Sequence, residues 1–207
     1  MKKLVLVILI VAINGIKAQD QYSKGMQKAM ELWSEQKTVD ASNLFERIAT
    51  AEMDNWLPYY YVAMVNITAS FGEEDEQKLS LQLEKAKEYI DMAKNISPDN
   101  VEILVLEAMM NTAWIAFDGA TYGMTLSGKN VQLYKKAAEL APENPRVVFG
   151  KAEWDMGAAR YFGKDTAPYC KDIERALQLF ATFKPETEFH PNWGKERAEQ
   201  IAEECKS

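Results

Sequence analysis

The sequence predicts an all-α protein, a stack of antiparallel helix pairs closed by one C-terminal helix. Three observations carry that prediction. First, one helix-to-helix corner is written twice, as "YIDMAKNISPDNVEI" and "LYKKAAELAPENPRV", with Pro98, Asp99 and Asn100 matched by Pro142, Glu143 and Asn144. Second, the residues before each corner recur in steps of three: Ile90, Ala93 and Ile96, then Tyr134, Ala137 and Leu140. Such steps hold side chains on one helical face. Third, small residues stand at equivalent places along the chain, Ala29, Ala63, Ala108 and Ala152, spaced 34, 45 and 44 apart.

The elements follow in order. Residues 1–18 have Lys2 and Lys3, an apolar run from Leu4 to Ile13 and a short polar stretch ending at Ala18. That is the order of a secretory signal peptide, and the run falls short of the roughly 20 residues a bilayer span needs. Cleavage is expected after Ala18, which implies export to the periplasm or the cell exterior. The mature domain, 19–207, divides into units of about 22–55, 56–100, 101–144 and 145–183, with a cap over 184–207. In the first unit Ala41, Phe45, Ile48 and Ala51 lead to Asp54-Asn55, a corner without its proline. A proline past a last turn cannot continue the helix, and the Asp or Asn after it can cap the next one. Links this short force neighbouring helices antiparallel. "SFG" (70–72), "TYG" (121–123) and "YFG" (161–163) each put an aromatic before a glycine, which predicts longer first helices ending in left-handed glycine caps. Trp114, Phe117, Tyr161 and Phe162 on those extra turns are expected to add core. Past Phe183, Pro185 and Pro191 break the chain, and a polar-faced helix over 192–205 is expected to cover the last apolar face.

With four units in phase, the chain resembles tetratricopeptide-repeat proteins over most of its mature length. The family's 34-residue spacing runs from Ala29 to Ala63, and Ala41-x-x-x-Phe45, Ala86-x-x-x-Ile90 and the closing Pro98 and Pro142 match its pattern. Ala stands where the family has Gly. Asn66, Asn111 and Asp155 stand where it has Tyr, and Glu107 and Lys151 where it has Leu. The resemblance implies a right-handed α-solenoid of four helix pairs plus the C-terminal capping helix. It also implies that first helices line a concave face with positions two, five, nine and twelve of each unit. Position five holds Met26, Tyr60, Val105 and Phe149; position nine holds Met30, Met64, Met109 and Glu153; position twelve holds Trp33, Ile67, Thr112 and Met156. Three methionines in one column make a soft, adaptable apolar surface. The resemblance thus implies an exported scaffold that binds a protein or peptide through Met26, Met30, Tyr60, Met64, Val105, Met109, Phe149 and Glu153. Two alternatives stand beside it: the face is filled by the chain's own segment 184–205, or it is buried in a homodimer. Either would make the protein a structural or accessory subunit.

The remaining composition speaks against other classes. The formal net charge is −7, and loss of Lys2, Lys3 and Lys17 with the leader makes it more negative still. Such a chain repels phosphate backbones and anionic lipid, so neither nucleic acid nor a membrane is an expected partner. Cys170 and Cys205 are the two cysteines, a disulfide candidate in an oxidising compartment. Neither lies in a C-x-x-C and the single histidine, His190, has no sequence neighbour to act with, so no metal site, cofactor or thiol catalyst is expected. His190 reads as a capping or surface residue. Glu107, Asp118, Glu153 and Asp155 on first helices could converge for glycosidase-type work, but acids on repeat helices more often pair with Lys or Arg. Glu73-Glu74-Asp75-Glu76 reads as the acidic start of a second helix. The sequence predicts no enzyme.

Overall fold

The computed structural model describes residues 19–206, and the predicted leader lies outside the described residues. Every regular element among them is helical. Helix α1 covers 19–34 of the described chain. It is followed by α2 (Thr38–Ala51), α3 (Trp56–Ser70), α4 (Glu76–Ile96), α5 (Val101–Phe117), α6 (Gly119–Leu140) and α7 (Pro145–Tyr161). A short 3-10 turn (Ala167–Tyr169) leads into α8 (Cys170–Thr182), and α9 (Lys195–Glu204) ends the fold. Helices consecutive in the chain are also neighbours in space: α2 with α3, α3 with α4, α5 with α6, α7 with α8.

The repeated corner works as local chemistry. Asn55, Asn100 and Asn144 stand at the N-caps of α3, α5 and α7, and each side-chain oxygen accepts an amide hydrogen bond, from Leu57 (3.1 Å), Glu102 (3.0 Å) and Arg146 (2.9 Å). Each bond satisfies a donor that the first helical turn leaves without a partner. Pro145 then occupies the first turn of α7, where a missing amide costs nothing. The acidic run opens α4 through Asp75, which accepts from the Lys78 amide at 3.1 Å.

The small residues permit close helix approach. Ala29, Ala63, Ala108 and Ala152 are buried. Gly150 does the same work on α7, since a Cβ there would come within 3.0 Å of the Tyr134 ring on α6. Asn66 and Asn111 cross-link helices. Asn66 Nδ2 donates to Ser42 on α2 (3.0 Å) and to the Val62 carbonyl (2.8 Å). Asn111 Nδ2 donates to Asn130 on α6 (2.9 Å), whose own amide donates to the Ala108 carbonyl (3.0 Å). Buried amides of this kind are tolerated because both partners are satisfied.

Among the described residues the core falls into three clusters. One joins α1 to α5 around Phe45, Tyr60, Leu83 and Ile90; one joins α5, α6 and α7 around Leu104, Tyr134 and Val147; the third joins α7, α8 and α9 around Phe149, Met156, Ile173 and Ile201. Cys170 and Cys205 are bonded, with Cα atoms 5.9 Å apart, and tie the start of α8 to the end of α9.

Two expectations need correction. "TYG" is not a helix end. Helix α5 stops at Phe117, Asp118 caps α6 by accepting from the Ala120 and Thr121 amides (both 3.0 Å), and Gly123 lies inside α6. A capping aspartate therefore overrides the aromatic-glycine signal, whereas Gly72 and Gly163 do take left-handed conformations (φ 87° and 64°). Tyr161 and Phe162 add no core: they are 73 % and 69 % exposed and stack edge-on to each other at the end of α7. Trp114 and Phe117 are half-buried against the first cluster.

Candidate functional site

The face formed by α1, α3, α5 and α7 carries the columns singled out in the sequence, and it divides into two halves. Met26, Tyr60, Val105 and Phe149 are buried, as are Met64, Ile67 and Met156. Met30, Met109 and Glu153 are half-buried, and so are Trp33 and Thr112. Position five is buried on all four helices, whereas positions nine and twelve are buried on α3 and, at Met156, on α7, but only half-buried on α1 and α5.

The N-terminal half is covered by the chain itself. After α8 the backbone runs without helix from Phe183 to Gly194, and this strap lies across the first helices. Phe189 is buried in the cluster that holds Met26, Tyr60 and Met64, and meets Tyr22 edge-on at 5.6 Å. The Tyr61 hydroxyl donates to the Phe189 carbonyl (2.9 Å), and Trp193 Nε1 donates to the Tyr60 hydroxyl (2.8 Å). Gln27 on α1 donates to Glu188 (2.8 Å). Gly194, with φ 105°, takes a conformation that L side chains avoid, and a Cβ there would come within 3.1 Å of Phe180 and 3.5 Å of Phe149.

Position two contributes a buried ion pair. Glu102 and Arg146 are the second residues of α5 and α7 and are 2 % and 0 % exposed. Arg146 donates through Nε (2.6 Å) and Nη2 (2.7 Å) to the two carboxylate oxygens, and Asn144 Nδ2 adds a third bond (2.7 Å). Burial alone would raise the Glu102 carboxyl, but hydrogen bonds led by Arg146 outweigh it and hold the group below the ordinary glutamate range. The strap closes over this pair. Phe183 lies 4.4 Å from the Arg146 guanidinium, and His190 places Nε2 3.8 Å from Glu102 with its ring edge-on to Trp56. His190 is thus neither cap nor surface residue. Its side chain is 11 % exposed and belongs to the lid of the ion pair.

The four candidate acids do not converge. Glu107 pairs with Lys94 (2.8 Å), Glu153 with Arg197 (2.9 Å) and Asp155 with Lys151 (2.5 Å), while Asp118 caps α6. Among the described residues no group of three or more His, Cys, Asp or Glu is placed to hold a metal ion. No described helix is long and apolar enough to cross a membrane. An open groove of about 780 Å³ lies elsewhere, lined by Leu32, Asn43, Arg47 and Tyr89. Burial and Glu46 push the Tyr89 hydroxyl there up to about 12.

What remains half-buried and apolar on the first-helix face is a strip of Met30, Trp33 and Met109, while Trp114 and Phe117 at the end of α5 pack on the first core cluster. Trp193 of the strap borders it, and Tyr122 of α6 lies 4.7 Å from Trp114. Aromatic faces and thioethers dominate the strip. It can hold an apolar or flat ligand by contact but offers no acid–base pair.

Sequence reasoning offered the chain's own segment 184–205 as an occupant of the face but missed the ion pair beneath it. Opposite charges at one repeat position, Glu102 and Arg146, were legible as a pair, and the aromatic density of "FKPETEFHPNWG" was unusual for a polar cap.

No family model matches the chain, and no curated relative does. Among solved structures, the HusA haemophore from Porphyromonas gingivalis is similar in fold, with a TM-score of 0.78 at 23 % identity over 89 % of this chain and 92 % of that one.

Proposed function

We propose that the protein is an exported, non-catalytic binding protein, a TPR-like right-handed array of four helix pairs with a cap, that carries a flat apolar ligand of the haem type. The observation that carries this reading is the half-buried strip of Met30, Trp33 and Met109 on a face otherwise filled by the strap and the core. Indole and phenyl faces stack on flat rings, and thioethers adapt to their edges. A ligand site is typically a largely apolar concavity with few polar groups, which fits this strip better than it fits the polar groove near Arg47. The fold likeness to a haemophore supports the ligand class, although one fold hosts many functions. The strip offers ring faces and sulfur rather than histidine, because His190 is engaged against Glu102 and Trp56.

A protein or peptide partner on the same face is the second reading. The strap supports it, since a non-helical segment already lies across these helices and is held by side-chain hydrogen bonds from α1 and α3. Titration with haemin separates the two. The haem reading expects saturable quenching of tryptophan fluorescence with a shift of the haemin absorption band. Replacing Trp33 and Met109 by alanine together is expected to weaken binding at least tenfold, about 1.4 kcal/mol or more. No saturable change with haemin, alongside a protein recovered on the wild type and lost on the double variant, would favour the second reading.

A further inference from the structure

The strap is bound to its own chain as a ligand would be. Its contacts are long-range: Gln27 to Glu188, Tyr61 to Phe189 and Trp193 to Tyr60 link residues 161, 128 and 133 positions apart. Phe183 rests on Arg146, Phe189 is buried beside Tyr22, and His190 meets Trp56. These partners lie on α1, α3 and α7, so the first helices read a pattern of aromatic and histidine anchors rather than a neighbouring stretch of chain. At one end of the strap Phe183 leaves α8 in an extended conformation, and at the other Gly194 turns the chain into α9 with positive φ.

Beyond the backbone that runs on from α8, one covalent bond keeps this recognition intramolecular. Cys170 begins α8 and Cys205 follows α9, so the disulfide closes a ring of chain that contains the whole strap. While it is intact, the strap and α9 cannot pass to another molecule. Before it forms, the same first-helix face is complementary to the strap of any copy. Exchange of identical elements between protomers repeats every contact and changes only the connection through the hinge.

We propose that the N-terminal half of the first-helix face is a recognition surface for the 183–194 segment of a second copy of this chain, and that the Cys170–Cys205 bond is the lock that keeps the segment in cis. A reduced chain exchanges strap and α9 with a second copy at high concentration. Exchange then sets Cys170 of one copy beside Cys205 of the other, and oxidation seals the dimer with two intermolecular disulfides. Each bond forms as two thiols are oxidised and one glutathione disulfide is reduced to two glutathione thiols.

The test uses the whole exported chain, unfolded and reduced, then refolded in a glutathione redox buffer from dilute and from concentrated solution. A mixture of isotopically light and heavy chains identifies cross-linked peptides by mass. The expected result is monomer from dilute solution and a covalent dimer from concentrated solution, joined by light–heavy Cys170–Cys205 links. Excess synthetic peptide of residues 183–194 is expected to lower the dimer yield several-fold. Monomer alone at every concentration, or dimers joined through Cys170–Cys170 or Cys205–Cys205, would overturn the proposal. An unchanged dimer yield with peptide would overturn the assignment of the strap as the exchanged recognition element.

Discussion

Tyr60 and Met30 sit on the same face of successive first helices, yet they live in different environments. Tyr60 is fully buried, with its hydroxyl accepting from Trp193, whereas Met30 is half-buried at the edge of the core. The difference lies not in the repeat but in where the strap crosses it. Position five is core on every one of these helices, whereas position nine is half-buried at Met30 and Met109 and buried at Met64, so substitutions at Tyr60 and at Met30 should have different consequences.

The largest expected effect is at the ion pair under the strap. Glu102→Ala removes one partner of a buried, bidentate pair and leaves Arg146 uncompensated, which should cost about 3–5 kcal/mol. Urea unfolding measures it, and a loss below about 1 kcal/mol would mean that Arg146 finds water or another partner. Tyr60→Ala and Phe149→Ala should each cost about 3–5 kcal/mol as well, because both side chains are core. If instead they lower ligand affinity and leave the melting temperature unchanged, the N-terminal half is open in solution and the comparison fails.

Removing the disulfide comes next. Cys170 and Cys205 are separated by 35 residues, for which loop-closure entropy suggests a loss of about 3–4 kcal/mol in a Cys170→Ser, Cys205→Ser variant.

Acid sharpens the same contrast. The folded Glu102 carboxyl titrates below its ordinary value of 4.5, so its contribution is complete above that value and is lost as pH falls through the lower folded one. The stability gap between wild type and Glu102→Gln should therefore be widest near neutrality and shrink in acid. A gap that does not change with pH would show that Glu102 is not the titrating group. At the open end, Tyr161→Ala should change stability by no more than about 0.5 kcal/mol, since the ring is exposed. A drop of several kcal/mol in a melting experiment would reveal packing there.

The helical class and its corners were legible because their causes are local. Asn55, Asn100 and Asn144 cap the helices that follow them, and alanines at repeat spacing mark close approach. The glycine signal misled at Gly123 because Asp118, five residues earlier, supplied a stronger local start for α6. The strap was not legible as a lid. Its position depends on pairings such as Tyr61 with Phe189, across 128 residues, and no periodic pattern marks a segment that is neither helix nor strand. The chain's own segment was weighed as an occupant of the face, but its sequence alone gave no height at which it would cross.

Methyl spectra of the protein labelled at its methionines, recorded while a diamagnetic protoporphyrin is added, test the central claim most directly. The account predicts that the methyl signals of Met30 and Met109 shift and saturate, while those of Met26, Met64 and Met156 stay in place and the Trp193 indole proton keeps its bonded shift. Movement of Met26 and Met64 together with release of the Trp193 proton would contradict it, showing that the ligand displaces the strap and occupies the half of the face that this account holds closed.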